Sequence, residues 1–159
     1  MLEALQPLAG KVKVVALCGR RQTAFRQLQD WSDQHPELEV EPLAFQGPAA
    51  MATLYKTAWA MVARPGARTA TEALAAGCVL IFNGFGTTMP QELLARRYFQ
   101  ARNIDRCIRQ PKDLLALCRL WLEQPEEHQQ LKERVLRCQL LGDRDSIRQL
   151  LFDGPEALG

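Results

Sequence analysis

Short apolar, β-branched runs alternate along this chain with segments of helical periodicity, and that alternation constrains the fold more than any other feature. Residues 11–17 read Lys-Val-Lys-Val-Val-Ala-Leu, alternating at first and then continuously apolar, and stop at the turn signal Cys18-Gly19-Arg20-Arg21. Residues 23–33 follow with Phe25, Leu28 and Trp31 at helical spacing. Residues 38–45 alternate apolar and acidic side chains as a second strand does, and Gly47-Pro48 breaks them. A short helix is predicted over 49–58, with Met51, Leu54 and Tyr55 inward, and a short strand over 59–63, stopped by Arg64-Pro65-Gly66. The pattern then repeats. Residues 69–76 form an alanine-rich helix closed by Gly77, 78–82 a buried strand, 83–88 a loop, and Pro90 opens a helix to about Ala101. A weak strand over 106–109 precedes helices over 111–123 and 125–141, and Asp143 or Asp145 is suited to cap a last short helix through Phe152.

Strands separated by helices are βαβ units, so the expected fold is α/β: a Rossmann-like parallel sheet of roughly five to six strands with helices on both faces, plus C-terminal helices. One domain is expected over 11–152, with 1–10 as a lead-in and 153–159 as a tail. A length of 159 residues, 47% of them hydrophobic, suffices for its core. A net charge of +2 argues against nucleic acid as a partner. No run approaches the ~20 apolar residues of a membrane span, and Met1-Leu2-Glu3-Ala4-Leu5 is unlike a secretory signal, so a cytoplasmic location is expected. The five cysteines form no Cys-x-x-Cys pair and lie in apolar or helical runs, which reads as buried, reduced thiols. With only His35 and His128, far apart in sequence, no histidine metal site is expected.

Parallel sheets bind ligands at the carboxyl ends of their strands, beside helix N-termini, which directs attention to the loops 18–21, 64–69 and 83–91. In Arg64-Pro65-Gly66-Ala67-Arg68-Thr69-Ala70-Thr71-Glu72, Gly66 permits close backbone approach and the free amides of a helix start suit a phosphate. Glu72 has two readings. Three residues after Thr69, it fits a capping box; alternatively its carboxylate accepts hydrogen bonds from a ribose diol. Arg64 and Arg68 are either surface arginines or electrostatic aids to a diphosphate. The basic residues Arg96, Arg97, Arg102, Arg106 and Arg109 read as a solvated face, with an anionic lipid or partner as the alternative.

The stretch Arg-Pro-Gly-Ala-Arg-Thr-Ala-Thr-Glu-Ala-Leu-Ala-Ala-Gly at 64–77 resembles the donor-binding signature of GT-B glycosyltransferases of family 28. That group includes the bacterial peptidoglycan GlcNAc transferase, diacylglycerol glucosyltransferases and monogalactosyldiacylglycerol synthase. Val-Val-Ala-Leu-Cys-Gly-Arg-Arg at 14–21 resembles the family's strand and glycine turn in the C-terminal domain. Phe82-Asn83 with Pro90-Gln91-Glu92 resembles its later strand and Gln-Glu motif, and the likeness extends over roughly residues 11–152.

The resemblance implies a UDP-sugar site, with the UDP-sugar as donor substrate and no metal or cofactor besides. Glu72 would hold the ribose, Gly66, Ala67 and Thr69 would face the diphosphate, Gly19 and Arg20 would line the nucleotide edge, and Phe45 and Gln46 would lie near the uracil. Gln91 and Glu92 would bind the sugar; by position alone they are ordinary polar residues of a first helical turn. The implied activity is hexosyl transfer to a lipid-type acceptor. The general base is expected in a separate N-terminal domain or partner chain that binds the acceptor and makes any peripheral membrane contact, so the isolated chain is expected to be inactive. Departures from the family pattern are Val79 in place of proline, Ala95 in place of asparagine, and Thr87-Thr88-Met89 in the sugar-facing loop; they bear on sugar identity and turnover. The competing reading is a non-catalytic nucleotide-sensing or interaction module. A dinucleotide oxidoreductase is disfavoured because residues 18–23 hold one glycine, not Gly-x-Gly-x-x-Gly.

Overall fold

A computed structural model describes residues 1–86 and 89–138. The predicted last helix through Phe152, the 153–159 tail, the last residues of the 125–141 helix and the Thr87-Thr88 pair lie outside the described residues.

After a 3-10 turn (Glu3–Leu8), strands and helices alternate as β1 (Val14–Gly19), α1 (Gln22–Gln34), β2 (Val40–Ala44), α2 (Pro48–Thr57), β3 (Met61–Ala63), α3 (Ala67–Ala75), β4 (Leu80–Asn83), α4 (Pro90–Ala101) and β5 (Cys107–Ile108), followed by α5 (Pro111–Glu123) and α6 (Pro125–Arg137). Proline opens α2, α4, α5 and α6, where its missing N–H is one the helix leaves unpaired in any case. Asp113 accepts the amides of Arg109 and Gln110 at 2.8 and 3.1 Å and so closes the start of α5.

Every strand pair is parallel, as βαβ succession requires: β1 with β2, β3 with β4, and β4 with β5. The class is the expected α/β, with five strands. They form two hydrogen-bonded sheets, β1-β2 and β3-β4-β5, where a single sheet was expected. The reason is local: no backbone hydrogen bond joins β1 to β3 among the described residues. One apolar core nonetheless joins the two sheets, running from Leu38 and Val40 through Leu80–Phe82 to Leu131 and Val135.

β4 is its centre. The strand is paired on both edges, and the unbroken apolar run from Cys78 to Phe82 is at most 2% exposed, as expected for a parallel strand covered on both faces. The Phe82 ring packs 4.8 Å from that of Phe99 on α4. The first ten residues are more than a lead-in: the 3-10 turn packs against α5 and buries Leu5 and Leu8, which fall three residues apart on one side of it.

Candidate functional site

The carboxyl ends of β1 and β2 carry one set of predicted residues. Gly19 ends β1 at φ +58°, a left-handed conformation that glycine adopts without strain. The turn it makes sends Arg20 toward Phe45, whose ring lies 4.9 Å from the guanidinium carbon. Phe45 is 58% exposed, a large flat apolar surface beside a cation. Gln46 donates from Nε2 to the Ala44 carbonyl at 3.1 Å, which fixes the loop leaving β2.

The second set lies where β3 passes into α3. Pro65 is buried, Gly66 is the N-cap, and the first-turn amides of Ala67, Arg68 and Thr69 follow. The helix therefore starts earlier than the sequence suggests, and Thr69 lies inside its first turn. This overturns the capping-box reading of Glu72, since no side chain caps α3. Glu72 instead accepts from Arg68 Nε at 2.9 Å and from the Tyr55 hydroxyl on α2 at 3.1 Å. The hydrogen bond from Arg68 holds its carboxyl below the usual range, against a smaller opposing effect of burial. Burial first, then the carboxylate beside it, pushes the Tyr55 hydroxyl up to about 12, so it is a permanent donor at neutral pH. Glu72 thus presents a fixed, ionised carboxylate with 40% of its side chain still open to solvent. Tyr55 was legible in the sequence only as an inward-facing residue of α2. Its partner lies 17 residues on, and no local pattern links the two.

The third set surrounds α4. Arg64 forms a two-pronged pair with Glu92, Nε to Oε1 at 3.0 Å and Nη2 to Oε2 at 2.7 Å, and donates from Nη1 to the Phe85 carbonyl at 2.8 Å. Glu92 Oε2 also accepts the Met89 amide at 2.9 Å. That amide and Arg64 hold its carboxyl below the usual range. Glu92, predicted to face the sugar, is 6% exposed here and ties β3, the loop after β4 and the start of α4 together. Gln91 precedes it in the same first turn. Val79 and Ala95, the two departures from the family pattern, are core positions at 1% and 9% exposure.

The arginines expected on a solvated face divide. Arg97, Arg102 and Arg109 are exposed, whereas Arg96 lies 3.9 Å from Asp105 and Arg106 is partly buried, which lowers its pKa. All five cysteines are free; Cys18, Cys78 and Cys118 are buried, and burial pushes the Cys78 thiol up to about 11. His128, which lies in a polar run of sequence, is buried: its ring packs tilted against Trp59 and edge-on against Trp121, centroids 4.9 Å apart in each case, and Nε2 donates to the Trp59 carbonyl at 2.9 Å. Those rings line a cavity of about 660 Å³ with residues 11–13, at the amino ends of β1 and β3, away from every predicted site residue. Among the described residues no group of three metal-ligating side chains occurs, and no helix is long and apolar enough to cross a membrane.

The parallel strands and their covering helices form an α/β fold similar to that of GT-B glycosyltransferase domains. MurG of Acinetobacter baumannii has a similar structure, with a TM-score of 0.62 and 21% identity over 86% of this chain and 39% of that one. The glycotransferase of kitacinnamycin is also similar, with a TM-score of 0.52 and 16% identity over 89% of this chain and 43% of that one. This chain therefore spans less than half the length of either. No protein-family description and no curated protein matches it by sequence.

Proposed function

We propose that this chain is the donor-binding domain of a GT-B glycosyltransferase, and that it holds a UDP-sugar for hexosyl transfer to a lipid-type acceptor. One observation carries the reading: in a fold of this type, an open, ionised carboxylate, Glu72, is braced by Tyr55 and Arg68 within two turns of the helix start at Gly66. A carboxylate fixed in that way can accept both hydroxyls of a ribose. The unpaired amides of Ala67, Arg68 and Thr69 and the positive end of the α3 dipole can take the diphosphate next to it. The exposed Phe45 face beside Arg20 offers a stacking surface for the base. In transfer, the same amides would stabilise charge on the departing UDP, and no step asked of this chain needs a metal or cofactor. The acceptor and the general base would come from another domain or a partner chain, consistent with a chain that spans less than half of its structural neighbours. Any peripheral membrane contact would be that partner's.

Calorimetry with UDP, UDP-galactose, UDP-glucose and UDP-GlcNAc tests the proposal. Binding of UDP that Glu72→Ala weakens about tenfold or more is expected, since a bidentate charge-assisted contact is lost. Absence of UDP binding at millimolar ligand refutes it. The second reading, a non-catalytic nucleotide sensor, is favoured by the closed Arg64–Glu92 pair, which engages a predicted sugar-binding carboxylate. UDP binding without discrimination among the sugars supports that reading.

A further inference from the structure

The cavity at the amino ends of β1 and β3 has a chemistry that the proposed function leaves unused. Its volume of about 660 Å³ lies within the ~300–1,000 Å³ that encloses a small molecule. Rings form its wall: the indoles of Trp59 and Trp121 meet edge-on at 5.4 Å, and His128 packs 4.9 Å from each. Trp121 is buried, but Trp59 is 38% exposed, which leaves a large aromatic surface open to whatever enters. His128 is 7% exposed. A carbonyl can only accept, so the 2.9 Å bond to the Trp59 carbonyl fixes the hydrogen of the neutral ring on Nε2 and leaves Nδ1 a bare acceptor. Nδ1 has no hydrogen-bond partner among the described residues and is not sealed inside the protein. The open space that this ring borders is the cavity, so the lone pair is offered there. Serving the Trp59 carbonyl takes one donor and accounts for Nε2 alone. It does not account for an acceptor kept beside two indoles, where an unmet polar atom is costly.

We infer that this cavity binds a small, uncharged, planar heteroaromatic molecule that carries an N–H donor on its edge. The ligand ring lies against the open surface of Trp59 and the apolar side chains of Val12 and Pro125, and its N–H donates to His128 Nδ1. An imidazole held in one tautomer makes that contact selective. A ligand that presents an acceptor at the same place sets two lone pairs against each other, and one that presents a methyl group leaves Nδ1 unmet. Charge adds little. Lys13 is engaged by Glu39 and Glu41 at 2.8 and 3.0 Å, and Lys11 and Glu126 stand on the same rim with opposite signs. That balance favours an uncharged ligand over a phosphate or a carboxylate. The site is separate from the one proposed for UDP, because Glu72 and the start of α3 follow the carboxyl end of β3 while Trp59 precedes its amino end.

Titration of the full chain with indole and with 1-methylindole, followed through the indole N–H resonances of Trp31, Trp59 and Trp121, tests the inference. Both probes are uncharged and planar, and only the first can donate. Indole should shift the Trp59 and Trp121 signals saturably and leave that of Trp31, on α1, in place. 1-Methylindole, although the more apolar of the two, should bind at least about fivefold more weakly, the loss expected when one hydrogen bond gives way to an unmet acceptor. His128→Phe keeps a ring between the two tryptophans and should bind both probes alike. If that variant does not fold, the comparison of the two probes on the wild type decides by itself. Four outcomes overturn the inference: no shift of Trp59 or Trp121 at millimolar indole, 1-methylindole binding the wild type as tightly as indole, an equal response at Trp31, which marks adhesion to any open tryptophan, or displacement of indole by UDP. The two proposals fail separately, since a chain that binds indole but not UDP refutes only the donor site, and one that binds UDP but not indole refutes only this cavity.

Discussion

The two halves of the molecule are built to different standards. In the β3-β4-β5 half the central strand is paired on both edges, and the run from Cys78 to Phe82 is almost wholly removed from water. In the β1-β2 half, α1 buries no residue fully, and β1 alternates between partly buried and exposed positions along most of its length. Yet both halves carry candidate site residues, Arg20 and Phe45 on one and Glu72 and Glu92 on the other. The difference teaches where stability and recognition come from. The β4 half supplies most of the buried core, while the β1 half is tied within itself by the β1–β2 ladder and by the hydrogen bond from Ser32 to the Val40 carbonyl at 3.0 Å.

The largest expected effect compares the two strands directly. Phe82→Ala should cost about 3–5 kcal/mol, because a fully buried ring leaves a cavity that close neighbours cannot fill. Leu17→Ala, at a position already 41% exposed, should cost about 1 kcal/mol or less. Urea midpoints of the two variants measure both. Equal losses would show that the β1 half is as tightly built as the β4 half.

Two glycines sharpen the contrast at lower cost. Gly19 and Gly77 have nearly the same left-handed φ, +58° and +67°. An added Cβ at Gly19 meets nothing, whereas one at Gly77 would lie 2.5 Å from Leu136 Cδ2 on α6. Each alanine variant should lose about 1–2 kcal/mol to backbone strain, and Gly77→Ala should lose more by whatever Leu136 must yield. Thermal unfolding of the pair reads that difference, and an identical shift would mean that α6 moves aside freely.

The smallest effect is one of pH. Burial lowers the pKa of His128 below its ordinary 6.5, outweighing the raising influence of its bond to the Trp59 carbonyl. The unfolded chain therefore takes up this proton first as pH falls. Stability should be complete above about pH 6.5, decline below it, and level off once the folded value is passed. Comparing unfolding midpoints of the wild type and His128→Phe between about pH 6.5 and 5 isolates the group from the carboxylates, whose contribution is lost at lower pH. A wild-type slope no steeper than the variant's would place the imidazole in solvent.

The order of elements was legible in the sequence because each rests on local physics. Phe25, Leu28 and Trp31 at helical spacing, the prolines that open four helices, and the glycine after α3 all act within a few residues of themselves. The candidate loops followed from one further rule, that parallel sheets bind ligands at their carboxyl ends. The start of α3 was misread because Thr69 and Glu72 have the spacing of a capping box, and spacing does not reveal that the chain already turns helical at Ala67. Likewise a polar run around His128 gave no sign that two tryptophans would cover it.

What the sequence by itself determined is therefore the α/β class, the succession of strands and helices, and the segments from which a site could be built. Only the tertiary structure decided that Glu72 is held by Tyr55 from another helix, that Arg64 closes on Glu92 28 residues away, and that the described strands form two hydrogen-bonded sheets on one core. Periodicity and punctuation report the conformation of neighbours in the chain. Hydrogen-bond partners and free edges are set by which distant segments the folded core brings together, and by which it leaves apart.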